Sequence, residues 1–160
     1  MSIRKTLWII AIFLFIIIST AFSTAYATSY FNETEERFML LPPSDTISEG
    51  QIKVYRDKII IHINDAQWSS YLDTNSMSPV LFSGANGIEI IPKTKSEVHI
   101  GDIIAYETKW NNIPVIHRVV DIRQDELGTY FITKGDNNAS ADPVKVRFDQ
   151  IRYKLIAIIY

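Results

Sequence analysis

The sequence predicts a mainly β domain, a barrel or sandwich, behind one apolar N-terminal helix. Runs rich in β-branched and aromatic residues recur at short, even intervals from residue 51 onward. Turn material separates them, and no stretch after the apolar N-terminus keeps a helical period. A chain of 160 residues has room for one small folded domain. With 16 Lys+Arg against 18 Asp+Glu, it lacks the basic excess that would hold nucleic acid. The absence of cysteine excludes a disulfide framework, a thiolate metal site and a cysteine nucleophile.

In chain order, Arg4 and Lys5 precede an apolar run, residues 7–18, which continues to residue 26 with hydroxyls but no charge. About twenty such residues make a helix of roughly 30 Å, enough to cross a bilayer. The hydroxyls are tolerable because they bond back to the helix carbonyls. The run is read as a signal-anchor over residues 1–27. A cleaved signal peptide is the competing reading, since Ala25-Tyr26-Ala27 has the small-x-small form of a cleavage site. Either way the basic start stays inside and the remainder lies outside the cytoplasm. Residues 28–50, polar, acidic and broken by Pro42-Pro43, read as a juxtamembrane linker with a short helical turn at residues 33–40. Asn32 and Asn138 head glycosylation sequons.

The β domain is expected over residues 51–160. Residues 51–55 and 58–63 flank Arg56-Asp57 as a hairpin. Further strands are expected at 87–91, 102–107, 115–122, 130–133 and 153–159, with turns at 83–87, 110–112 and 125–128. Residues 155–159 are apolar but far too short to cross a membrane, so they read as a core strand.

The chemistry centres on Asp73-Thr74-Asn75-Ser76-Met77-Ser78-Pro79. Downstream, in order, come Gly101-Asp102-Ile103-Ile104, Ile116-His117-Arg118-Val119-Val120 and Lys134-Gly135-Asp136-Asn137-Asn138, with Asp142 just beyond. A serine hydroxyl becomes a nucleophile when a neighbouring base takes its proton, and histidine is the usual base. An acceptor, usually aspartate, holds the far ring nitrogen. His62 falls in the early hairpin and His99 in a turn. His117 falls inside an apolar strand, where a polar ring must find a partner. Each residue also has a plainer role: His117 as a hydrogen-bonded core histidine, Asp136 and Asp142 as turn closers.

As a set, these boxes resemble signal peptidase I of the archaeal and endoplasmic-reticulum type: an N-terminal anchor, Ser-Met-x-Pro at Ser76, Gly-Asp-Ile-Ile at Gly101, His-Arg-Val-Val at His117, and Thr-Lys-Gly-Asp-Asn-Asn from Thr133 with a second aspartate. The resemblance covers the anchor and residues 73–160. It implies a signal-peptidase-like β-barrel or sandwich and a membrane-anchored serine endopeptidase, with Ser76 as nucleophile and His117 as general base. Of Asp136 and Asp142, one would orient His117 and the other support the site, Asp142 being the first choice. The Ser76 backbone N–H and the Thr74 hydroxyl would form the oxyanion hole. No metal or cofactor is implied. The implied partners are secretory precursors with their signal peptides, a lipid membrane and the translocation machinery. The implied location is a cell membrane, crossed once, with the catalytic domain extracytoplasmic. Departures are Asp73-Thr74-Asn75 leading into the serine, Ser78 inside the box, and the hairpin at 51–63. Two further readings remain: a related peptidase acting on other anchored substrates or on itself, and a non-catalytic β domain, anchored or secreted, that binds peptides.

Overall fold

The computed structural model describes residues 8, 12–28, 41–72 and 74–160. Two compact units result, Met1–Leu40 and Leu41–Tyr160. The expected turn at 33–40 and Asn32 lie outside the described residues.

In the first unit, residues 12–28 form a helix whose every described residue is exposed. Its hydroxyls turn back on the preceding turn, as Thr20 Oγ1 does to the Ile16 carbonyl at 3.0 Å and Thr24 Oγ1 to that of Ala21 at 2.9 Å. Among the described residues no helix is long and apolar enough to cross a membrane. The expectation of a full span is corrected to that extent: residues 12–28 make about 25 Å of helix, short of the hydrocarbon core. The basic start and residues 9–11 lie outside the described residues.

The second unit is β-rich, as expected. β1 (Ile52–Val54) and β2 (Ile59–Ile61) form the hairpin, closed by the Tyr55 N–H donating to the Lys58 carbonyl at 2.8 Å. A separate antiparallel sheet has six strands in the order β3-β4-β8-β5-β6-β7, namely Gln67–Ser70, Asn86–Ile90, Ile151–Ile159, Ile103–Thr108, Asn111–Asp125 and Gly128–Lys134. Five of these were expected and β3 was not. Its Gln-Trp-Ser-Ser sequence is polar, and an edge strand facing a cavity needs no apolar alternation.

The sheet is not a closed barrel. No pairing among the described residues joins β3 to β7, because the returning chain takes the outer edge of β7. Phe131 and Val146 exchange backbone hydrogen bonds at 2.8 and 3.0 Å, and the Asp142 N–H donates to the Thr133 carbonyl at 2.7 Å. Those bonds set Asp142 beside Thr133.

Both faces of the sheet are covered. Strand side chains alternate with period two, so Ile104 and Tyr106 enter one cluster with Val98, Val119, Phe131, Val146 and Ile151. Ile103 enters another with Met77, Leu81 and Leu155. Double burial explains why Ile103-Ile104-Ala105-Tyr106 reads as one continuous apolar run. Part of the expected linker packs on this unit: Ser44 donates from N–H and hydroxyl to Asp102 Oδ1, each at 2.7 Å. Asp102 is buried and also faces Lys154 Nζ at 3.5 Å, so the Gly-Asp-Ile-Ile box has a structural role here.

Candidate active site

Ser76 sits on a turn between β3 and β4, set by three local features. Asn75 precedes it at φ 61°, a left-handed conformation that asparagine tolerates better than most residues. Met77 follows and is buried in the Leu81, Ile103 and Leu155 cluster, which fixes the turn to the core. The loop after β7 then clasps the backbone: Asn137 N–H donates to the Ser76 carbonyl at 2.9 Å, and Asn137 Nδ2 to that of Asn75 at 3.0 Å. A Cβ on Gly135 would lie 2.6 Å from the Ser76 carbonyl oxygen. Glycine is needed there for this close approach.

His117 lies opposite Ile104 on β6 and is buried. Its Nδ1 meets Asp142 Oδ2 at 2.7 Å. The same oxygen accepts from the Thr133 hydroxyl at 2.6 Å and the Tyr106 hydroxyl at 2.8 Å. Burial alone would raise the Asp142 carboxyl, but hydrogen bonds from His117, Thr133 and Tyr106 outweigh it and hold it below the usual carboxylate range. Burial, with the Asp142 charge adding to it, pushes the Tyr106 phenol well up, which keeps its proton on as a donor.

Asp136 is not at the ring. It forms a two-pronged pair with Arg118, Nε to Oδ1 at 2.8 Å and Nη2 to Oδ2 at 2.7 Å. Arg118 Nη1 donates in addition to the Gly101 carbonyl at 2.7 Å. One guanidinium therefore ties the Gly101, His117 and Gly135 boxes together, with the fork geometry that lysine cannot supply.

Ser76, Thr74 and His117 border one cavity of about 420 Å³. The Thr74 and Ser76 hydroxyls are 3.1 Å apart. The remaining wall includes Ser69 and Ser70 of β3 and, from β6, Asn111 and residues 113–116. His62 and His99 are not among the lining residues; His99 is exposed, 3.7 Å from Asp102. The arrangement joins a hydroxyl, an imidazole and a hydrogen-bonded carboxylate around a space open to a ligand, the elements of acyl transfer. Sequence reading missed Tyr106, Thr133 and Arg118. Arg118 stands inside the His-Arg-Val-Val box and was within reach as the partner of one aspartate, whereas Tyr106 and Thr133 meet Asp142 only through strand pairing.

Comparison with known proteins gives relatives that include signal peptidase complex catalytic subunits. The chain is 36% identical over 85 residues to the signal peptidase complex catalytic subunit SEC11 of Scheffersomyces stipitis, covering 47% of this chain and 51% of that protein. It is 49% identical over 47 residues to the corresponding subunit of Schizosaccharomyces pombe, covering 29% and 25%. An uncharacterized protein of Methanocaldococcus jannaschii is 49% identical over 45 residues, 28% and 22%. The chain thus spans about half the length, or less, of the curated relatives it matches. No family model and no solved structure matches it. The resemblance read from the boxes is found again: over the matched stretches, this chain is similar to signal peptidase catalytic subunits.

Proposed function

We propose that this protein is a membrane-anchored serine endopeptidase that removes signal peptides from translocated precursors, with Ser76 as nucleophile and His117 as general base. The observation that carries the reading is a single cavity bordered by Ser76 and His117, with Asp142 holding the far nitrogen of the imidazole. The similarity to signal peptidase catalytic subunits supplies the substrate class.

The precursor would lie extended along the cavity. β7 pairs with β6 only from Arg118 onward, so the edge of residues 111–117 on that side is outside this ladder and suited to strand addition. Pro114 fits such an edge, where no ladder donor is required of it. Ser76 Oγ attacks the scissile carbonyl while His117 Nε2 takes its proton, and Asp142 stabilises the imidazolium. The Ser76 N–H and Thr74 hydroxyl receive the oxyanion. Such donors contribute roughly 2.7–4 kcal/mol each in other enzymes. His117 then protonates the leaving amine. Water, deprotonated by the same ring, cleaves the acyl-enzyme ester and restores Ser76.

Asp136 supports the site through Arg118. The apolar N-terminal segment tethers the enzyme where signal peptides end, with residues 41–160 on the extracytoplasmic side and the translocation machinery nearby. Tethering raises the effective substrate concentration without any new contact.

The test is cleavage of a model precursor by membranes carrying wild type, Ser76→Ala or His117→Ala at matched protein levels. Wild type is expected to cut after a small residue, and both variants to lose activity by several orders of magnitude. Cleavage by Ser76→Ala would refute the assignment.

A further inference from the structure

A second charged group borders the candidate site and plays no part in the chemistry just described. Glu89, on β4, is 3% exposed and lines the same cavity as Ser76 and His117. Its oxygens accept from neutral donors, Oε2 from the Ser69 hydroxyl at 2.7 Å and Oε1 from the Tyr71 hydroxyl at 3.1 Å. None of the ion pairs found among the described residues includes it. The surroundings are built around this group. The pairing of β4 with β8 shifts register between Ile88 and Glu89, and such irregularities re-aim side chains. The Tyr71 hydroxyl oxygen lies 1.7 Å from where a Cβ on residue 87 would stand, so only glycine at 87 lets the tyrosine reach Glu89. Burial, followed by the Glu89 charge, pushes the Tyr71 phenol far up, which makes it a donor and not a counter-ion.

A carboxylate offers about four lone-pair sites, and two hydroxyl donors leave room for more. A buried charge without a cation is costly, and a ligand that brings one relieves the cost. The same cavity is also lined by Tyr71, Tyr153, Ile113, Val115 and Ile116. This combination suits an alkyl stem with a cationic tip.

We propose that the cavity holds a subsite for a lysine or arginine side chain of the substrate, with Glu89 as the residue that selects it. The inference rests on the peptidase reading for the identity of the substrate as a polypeptide.

The test uses the full chain in detergent. The Ser76→Ala protein is titrated with N-acetylated, fluorophore-tagged peptides spanning a signal-peptide cleavage region, with lysine or norleucine placed in turn at each position near the scissile bond. At one position lysine is expected to bind about tenfold tighter than norleucine, and Glu89→Gln in the same background to abolish that ratio. Because the ratio is taken within one protein, a poorly folded Glu89→Gln sample does not rescue the idea: wild-type side chains showing no lysine preference at any position overturn it. Persistence of the preference in a folded Glu89→Gln protein, verified by circular dichroism, overturns it as well. A parallel cleavage assay with active enzyme separates the two claims. Cutting of the norleucine peptides without lysine preference sinks the subsite and leaves the peptidase. Lysine-selective binding without any cutting leaves the subsite and sinks the peptidase.

Discussion

Asp142 receives three hydrogen bonds on one oxygen, from His117, Thr133 and Tyr106, while Asp136 spends both of its oxygens on Arg118. The two aspartates should therefore fail differently. Asp142→Asn keeps the fold and releases the imidazole tautomer, so cleavage should fall by about 10³–10⁴-fold while the melting temperature at neutral pH drops only modestly. Asp136→Asn breaks a largely buried, two-pronged ion pair and should cost stability, about 3 kcal/mol, with residual activity following the folded fraction. Equal melting temperatures and equal rates for the two variants would refute this division. Asp142 also carries a pH signature. Its folded carboxyl titrates below the unfolded value, so its contribution to stability is fully present above the unfolded carboxylate range. That contribution is lost as pH falls through the lower folded value. Thermal melts should show wild type losing its advantage over Asp142→Asn as pH drops from 7 into that acid window. A gap that widens with acidification would contradict the sign.

At the scale of elements, the turn bearing Ser76 is held by the loop after β7, and Gly135 is the contact that permits it. In Gly135→Ala the new Cβ would stand 2.6 Å from the Ser76 carbonyl oxygen and 2.7 Å from Asn138 Nδ2. The backbone must shift, at a cost of about 1–3 kcal/mol, and a displacement near 1 Å at Ser76, the proposed nucleophile, would cost about 100-fold in rate. Gly50→Ala, with nothing within 4 Å of its Cβ, is the control expected to change neither. Comparable losses at both positions would show that the clasp is not what matters. The strands that build this region were legible where β-branched residues cluster, as in β5 and β8, and the hairpin turn at Arg56-Asp57 was legible from its flanks. β3 was not, because its Ser69 and Ser70 hydroxyls serve Glu89 and Asn86 and not the apolar core. Glu89 was hidden for the same reason: one acidic residue inside an apolar strand shows no partner until Tyr71 is brought over Gly87. The boxes around Ser76, His117 and Asp142 could be read in order, but their division into ring-orienting and scaffold aspartates depends on how the chain returns along β7.

For the whole molecule, the question is what the exposed helix of the first unit faces. Phe13, Phe15, Ile17, Ile18 and Phe22 are all exposed on it, together with Leu14 and Ile16. These positions go right round the helix, and a helix apolar on every side belongs in a core or in lipid. The hydroxyls of Ser19, Thr20, Thr24 and Thr28 donate to their own backbone, so none of them need be left unsatisfied in hydrocarbon. The described turns, about 25 Å long, fall short of a full crossing by themselves, and the proposed tether would therefore need the apolar residues before them as well. If the segment anchors the enzyme, Ile16→Lys with Ile17→Lys should release the chain from membranes into the alkaline-carbonate supernatant, since each lysine at a helix centre costs about 2.5–3.5 kcal/mol on insertion. The released variant should still cut a soluble peptide at the wild-type rate, because Ser76, His117 and Asp142 all belong to the second unit. Its rate on a membrane-bound precursor should fall with the loss of effective concentration. Retention of the double-lysine variant in the carbonate pellet would place the membrane attachment outside this helix, and equal losses on soluble and bound substrates would show that the segment acts on the fold of the catalytic unit and not on its address.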